Sequence, residues 1–140
     1  AKSWTGSELT GSDTIAVAVD GLSAILTRAA PGEDIPFGRT SGAVVEYPLP
    51  KTAGLAGKNL KVTVTAEAVS GDTAPFSVAY TTAAIGNSGF RAFEATTEPQ
   101  DFSFEWQVPD LGERGADFIG IVLPEGSSIR VDSIEVADAG

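Results

Sequence analysis

The chain predicts an all-β domain, folded as a two-sheet antiparallel sandwich. Glycine or proline punctuates the sequence about every ten residues, and the intervening stretches are short and rich in alanine, threonine, serine and valine, the spacing of an all-β sandwich or barrel. The longest stretch, Asn59 to Val69, alternates strictly: Leu60, Val62, Val64, Ala66 and Ala68 on one side, Lys61, Thr63, Thr65 and Glu67 on the other. That is the period of a strand with one buried and one wet face. No helical period persists for three turns, and no internal repeat is visible.

In chain order, Thr14 to Asp20 alternates weakly through Ile15, Val17 and Val19, and Gly21 turns it into a partner strand, Leu22 to Thr27. Ala30 to Gly42 mixes prolines, glycines and charges without periodicity, which predicts a long surface loop. Ala43 to Leu49 is the third strand and Asn59 to Val69 the fourth, closed by a turn at Ser70-Gly71-Asp72. Phe76 to Thr82 follows with Phe76, Val78 and Tyr80 inward, then a loop over Ala84 to Gly89 and a strand over Phe90 to Ala95. Asp101 to Val108 carries Phe102, Phe104, Trp106 and Val108 on the core side, opposite Ser103, Glu105 and Gln107. After a polar loop, Pro109 to Gly115, the strand Phe118 to Leu123 is apolar on both sides, as a central strand covered on both faces would be. Pro124-Glu125-Gly126 turns into the last strand, Ile129 to Val136, giving about nine strands. In that strand Ile129 and Val131 share one parity while Ile134 and Val136 share the other. Either a β-bulge near Asp132-Ser133 restores the phase, or the strand is buried on both faces.

At 140 residues the chain is one domain, long enough to bury roughly 68–70% of its unfolded surface without staples. Cysteine and histidine are both absent. Disulfides, thiolate chemistry, Ser-His-Asp catalysis and zinc sites are therefore excluded within this chain. Nine basic residues against 19 acidic ones leave a net charge of −10, which repels nucleic acid and anionic membranes. No apolar run approaches the ~20 residues of a membrane span. With no methionine and no signal peptide, residues 1–140 are expected to be a piece excised or processed out of a longer protein.

From Tyr47 to Val136 the chain resembles the jelly-roll carbohydrate-binding modules of the galactose-binding-like superfamily. The residues that carry the likeness are Tyr47-Pro48-Leu49, then Gly57-Lys58-Asn59-Leu60, the aromatic-rich Phe102-Ser103-Phe104-Glu105-Trp106, and the closing Ile129 to Val136. The resemblance implies a jelly-roll fold and glycan binding without catalysis, through aromatic stacking and polar contacts to hydroxyls. It also implies a structural calcium between the first and last strands.

Phe90 and Phe93 lie three residues apart and cannot both face inward on a regular strand. An exposed Phe90 beside Arg91 and Asn87 is therefore the best stacking candidate, with Glu105 and Gln107 as hydroxyl partners on a polar strand face. Trp4 and Phe37 are further aromatic candidates, each expected to pack over the sandwich end. Asp132 is the candidate calcium ligand, completed by Asp20, with Glu8 and Asp13 as further donors. Calcium asks for six to eight oxygens, more than one carboxylate supplies. No carboxylate pair stands out as a glycosidase pair, and the glycine-containing turns lack the following helix of a phosphate cradle. The expected function is a non-catalytic glycan-binding module, extracellular, cell-surface or particle-borne. The alternative is a structural or adhesive domain that binds other chains of a larger assembly, such as a phage-like spike or tail fibre.

Overall fold

The computed structural model describes residues 2–11, 15–28, 43–47, 59–69, 71–82, 86–87, 91–107, 117–124 and 126–138. Eleven strands form in these segments: β1 (Lys2–Thr5), β2 (Ile15–Asp20), β3 (Ser23–Arg28), β4 (Ala43–Tyr47), β5 (Asn59–Ala68), β6 (Thr73–Thr82), β7 (Gly86–Asn87), β8 (Arg91–Thr96), β9 (Gln100–Gln107), β10 (Asp117–Val122) and β11 (Ser128–Asp138). One 3-10 turn, Gly6–Glu8, follows β1. The first sheet runs β2-β3-β11-β5-β9 with β1 also on β11, and the second runs β4-β10-β6 with β7 and β8 both on β6. Every pairing is antiparallel. The predicted long loop, Phe37 and the loop before β10 lie outside the described residues.

The core fills the space between the sheets. Leu60, Val62, Val64 and Ala66 of β5 face Phe76, Val78 and Tyr80 of β6 and Ile119 and Ile121 of β10, all buried. The two outermost strands, β8 and β9, close one side with aromatics. Phe93 packs 5.6 Å from Phe76 and 5.6 Å from Phe102, and Phe102 meets Phe76 edge-on at 5.1 Å. Trp106 lies 5.3 Å from Tyr80, so its core-side parity is as the sequence predicts.

The parity break in the last strand is a bulge. The β5–β11 register slips between Val131 and Ser133, and the slip falls where β11 changes its other neighbour. Ser128–Val131 pair with β3, and Ser133–Val136 pair with β1. Because of the slip, Ile129, Val131, Ile134 and Val136 are all buried on one face. The chain between β1 and β2 crosses this handover at Gly6, where an added Cβ would lie 1.9 Å from the Val131 carbonyl oxygen. No side chain fits there.

Three features depart from the sequence reading. Lys2–Thr5 is a strand, and it buries Trp4 opposite Ile134 inside the sandwich. Gly86–Asn87, expected within a loop, pairs with Thr81 and Thr82 of β6. The outer side of β10 is only partly covered: Phe118 and Val122 are half-buried while Ile119 and Ile121 are buried.

Candidate functional site

Of the ligand-binding residues singled out in the sequence, Arg91 and the Glu105/Gln107 pair do not share a face. Arg91 opens β8 opposite Val78, so it has inward parity at the rim of the sandwich. Its guanidinium carbon sits 5.2 Å from the centre of the Phe104 ring, a cation–π distance. Glu105 and Gln107 occupy the opposite, outer face of β9, across from Lys61 and Asn59, and Asn59 Nδ2 donates to Glu105 Oε1 at 3.0 Å. Arg91 and the Glu105/Gln107 pair thus lie on opposite faces of the strand. Phe90 lies outside the described residues, and Phe93 is half-buried in the aromatic cluster.

The two candidate calcium carboxylates do come together, around a cation the chain itself supplies. Arg130 Nη1 donates to Asp20 Oδ2 at 2.7 Å, with its Nε 3.7 Å from Asp132 Oδ1 and 3.9 Å from Glu67 Oε1. Ser23 Oγ donates to the same Asp132 oxygen at 2.6 Å. The hydrogen bond to Asp20, aided by the charges of Asp132 and Glu67, holds the guanidinium pKa above its usual value against the opposing effect of burial. A calcium ion between Asp20 and Asp132 would have to displace Arg130, so this donor set as folded does not fit the ion. Among the described residues no group of three or more acidic side chains is arranged to hold a metal.

A concave surface lies elsewhere, at the β4 edge of the second sheet. Thr10 forms an isolated bridge with Val44, each N–H donating to the other's carbonyl at 2.9 Å. Continued two residues further, that antiparallel register would set Glu8 opposite Glu46. Gly6–Glu8 instead winds into the 3-10 turn, with Glu8 Oε2 accepting the Thr5 N–H at 2.7 Å. The chain peels away from β4 and leaves an open cleft of about 430 Å³ lined by Trp4, Glu8, Thr10, Val44, Val45, Glu46 and Phe118.

Register ties this cleft to the outer face of the sheet. Glu46 is opposite Phe118, Phe118 is opposite Thr81, and Thr81 is opposite Asn87. These four positions form one row across β4, β10, β6 and β7. Asn87, a residue the sequence did single out, therefore shares a row with Phe118 and Glu46. The next row, Val44, Gly120 and Ala79, has small residues at its centre, and Gly120 and Ala79 are buried.

Chemically, the half-buried Phe118 ring offers an apolar surface. Glu8 and Glu46, both exposed, offer hydroxyl acceptors, and the exposed Thr10 adds a hydroxyl. A cleft with an apolar wall and a few convergent polar groups is the usual make-up of a small-ligand site. Glu46, Phe118 and Thr10 were not singled out by sequence reasoning. The one available signal was the parity of Phe118, opposite to that of Ile119 and Ile121.

Several carbohydrate-binding modules of known structure share this fold. A CBM4 carbohydrate-binding module aligns with a TM-score of 0.63 at 21% identity, covering 97% of this chain and 84% of that one. The CBM22-1 xylan-binding domain of Paenibacillus barcinonensis Xyn10C aligns with a TM-score of 0.60 at 12% identity, covering 99% and 95%. The mannan-binding module of Man5C aligns with a TM-score of 0.58 at 11% identity, covering all of both chains. The fold is therefore the jelly-roll sandwich of carbohydrate-binding modules. No protein-family model and no curated protein matches the sequence.

Proposed function

We propose that this protein is a non-catalytic glycan-binding module, working outside the cell, that holds its ligand on the outer face of the β4-β10-β6 sheet. The observation that carries the reading is the row Glu46–Phe118–Thr81–Asn87 beside the open cleft. Phe118 serves as the stacking platform for the C–H face of one sugar ring, and Glu46, Glu8 and Thr10 accept or donate to its hydroxyls. Sugars suit such a surface because each ring has an apolar face and a hydroxylated rim. The neighbours named for xylan and mannan binding support a polysaccharide ligand in preference to a small metabolite. No helix among the described residues is long and apolar enough to cross a membrane.

Affinity electrophoresis through gels carrying xylan, mannan, β-glucan or chitin-type polymers tests the proposal. Retardation in at least one gel, lost in Phe118→Ala, is the expected result. Free migration in every gel would sink it.

The adhesive reading has one observation in its favour. At the β2–β3 turn, Leu22 and Val19 are 71% and 59% exposed, an apolar tip suited to another chain. Light scattering that finds only monomers, alone and with co-expressed neighbouring proteins, would remove that support.

A further inference from the structure

Glu8 and Glu46 line the same cleft from two sides, one on the 3-10 turn and one on β4. Neither forms an ion pair with a described residue, and no lysine or arginine is among the described lining residues. Glu8 is held in place by the Thr5 N–H, a donor that brings no opposing charge, and Glu46 is exposed. The contrast within the molecule is direct. At the β11 bulge Asp20, Glu67 and Asp132 surround Arg130, and on β9 Glu105 stands opposite Lys61 and accepts from Asn59. Among the described lining residues the cleft pairs an aromatic wall with two carboxylates and no basic side chain.

We infer that the cleft selects glycans by charge: it favours a sugar bearing a protonated amine over its neutral N-acetyl counterpart, and it rejects uronic acids. The inference rests on the glycan-binding reading and assigns that site its substrate class. A ring stacked on Phe118 brings its substituents between Glu8 and Glu46. An ammonium there donates to both carboxylates, an acetamido group gains only hydrogen bonds, and a uronate meets like charge. Exposed ion pairs contribute modestly, so each carboxylate should favour the amine by about two- to fivefold, an advantage that salt screens.

Calorimetric titration with three short oligosaccharides of matched length tests this: glucosamine, N-acetylglucosamine and galacturonate oligomers, each at low and high ionic strength. Short oligomers limit the general attraction of a polycation for a chain of net charge −10. Binding should fall in the order amine, N-acetyl, uronate, and the gap should close in high salt. Glu46→Gln and Glu8→Gln should each narrow the amine advantage by about two- to fivefold. Glu135→Gln, the same charge change on the outer face of the other sheet, should leave it intact.

Equal or tighter binding of the N-acetyl oligomer overturns the inference. So does an equal effect of Glu135→Gln and Glu46→Gln, because that would make the preference a property of net charge. Binding of neutral polysaccharide with no amine advantage defeats the charge selection alone. Absence of binding to every neutral and charged glycan defeats the glycan reading itself.

Discussion

Gly6→Ala should destabilise this protein more than any other alanine substitution at a described glycine outside a sheet. The added methyl would sit 1.9 Å from the Val131 carbonyl oxygen and 2.8 Å from the Ala24 amide nitrogen. That is about 1.5 Å inside an ordinary van der Waals contact for the first atom. Both obstructing atoms are backbone, fixed where β11 hands over from β3 to β1, so no rotamer change relieves the clash. Overpacking that side chains can absorb costs about 1–3 kcal/mol, and a clash that must move sheet backbone belongs at or above the top of that range. With about 3–4 °C of midpoint per kcal/mol for a domain of this size, thermal unfolding followed by circular dichroism should fall by ~10 °C. Gly126→Ala is the comparison. Gly126 has φ 82 and nothing within 4 Å of an added Cβ, so it incurs only the left-handed penalty of about 1–2 kcal/mol. A Gly6→Ala shift no larger than that of Gly126→Ala would refute the account of the handover.

Three further outcomes follow from the packing. Phe76→Ala removes a buried ring at the centre of the aromatic cluster and should cost about 3–5 kcal/mol in denaturant unfolding, while Phe118→Ala, half-buried, should cost far less. Arg130→Met should lower the melting midpoint in low salt and much less in concentrated salt, since the guanidinium is partly exposed and its pairing with Asp20 is screened; a deficit independent of salt would contradict this. The two tryptophans should report separately. Trp106→Phe leaves the buried Trp4, whose fluorescence acrylamide should barely quench, and Trp4→Phe leaves the half-buried Trp106, which it should quench readily.

What the sequence made legible was local. The alternation over Asn59–Ala68 placed β5 because ten residues of period two admit no other element, and the parity change at Asp132 located the bulge because a strand keeps phase unless a residue is inserted. β1 escaped notice because four residues with a single apolar side chain carry no period; Trp4 is buried only through its pairing with a strand 130 residues away. The candidate site was hidden for the same reason. Phe118, Glu46 and Asn87 fall in one row through two long-range registers and the local β6–β7 pairing, and Glu8 approaches that row through a 3-10 turn whose direction no periodicity encodes. Conversely, Arg91 and Glu105 looked like partners as exposed polar residues, yet inward and outward parity puts them on opposite faces of β9.

Whether glycan binds the outer face of the β4-β10-β6 sheet, as proposed, is decided by comparing Phe118→Ala with Glu105→Gln in calorimetric titrations against whichever polysaccharide retards the protein in a gel. Phe118→Ala should weaken binding at least tenfold, about 1.4 kcal/mol, with the melting midpoint shifted by only a few degrees. Glu105→Gln should bind like the parent protein. Full affinity in Phe118→Ala together with a loss in Glu105→Gln would contradict the account and move the ligand to the opposite sheet.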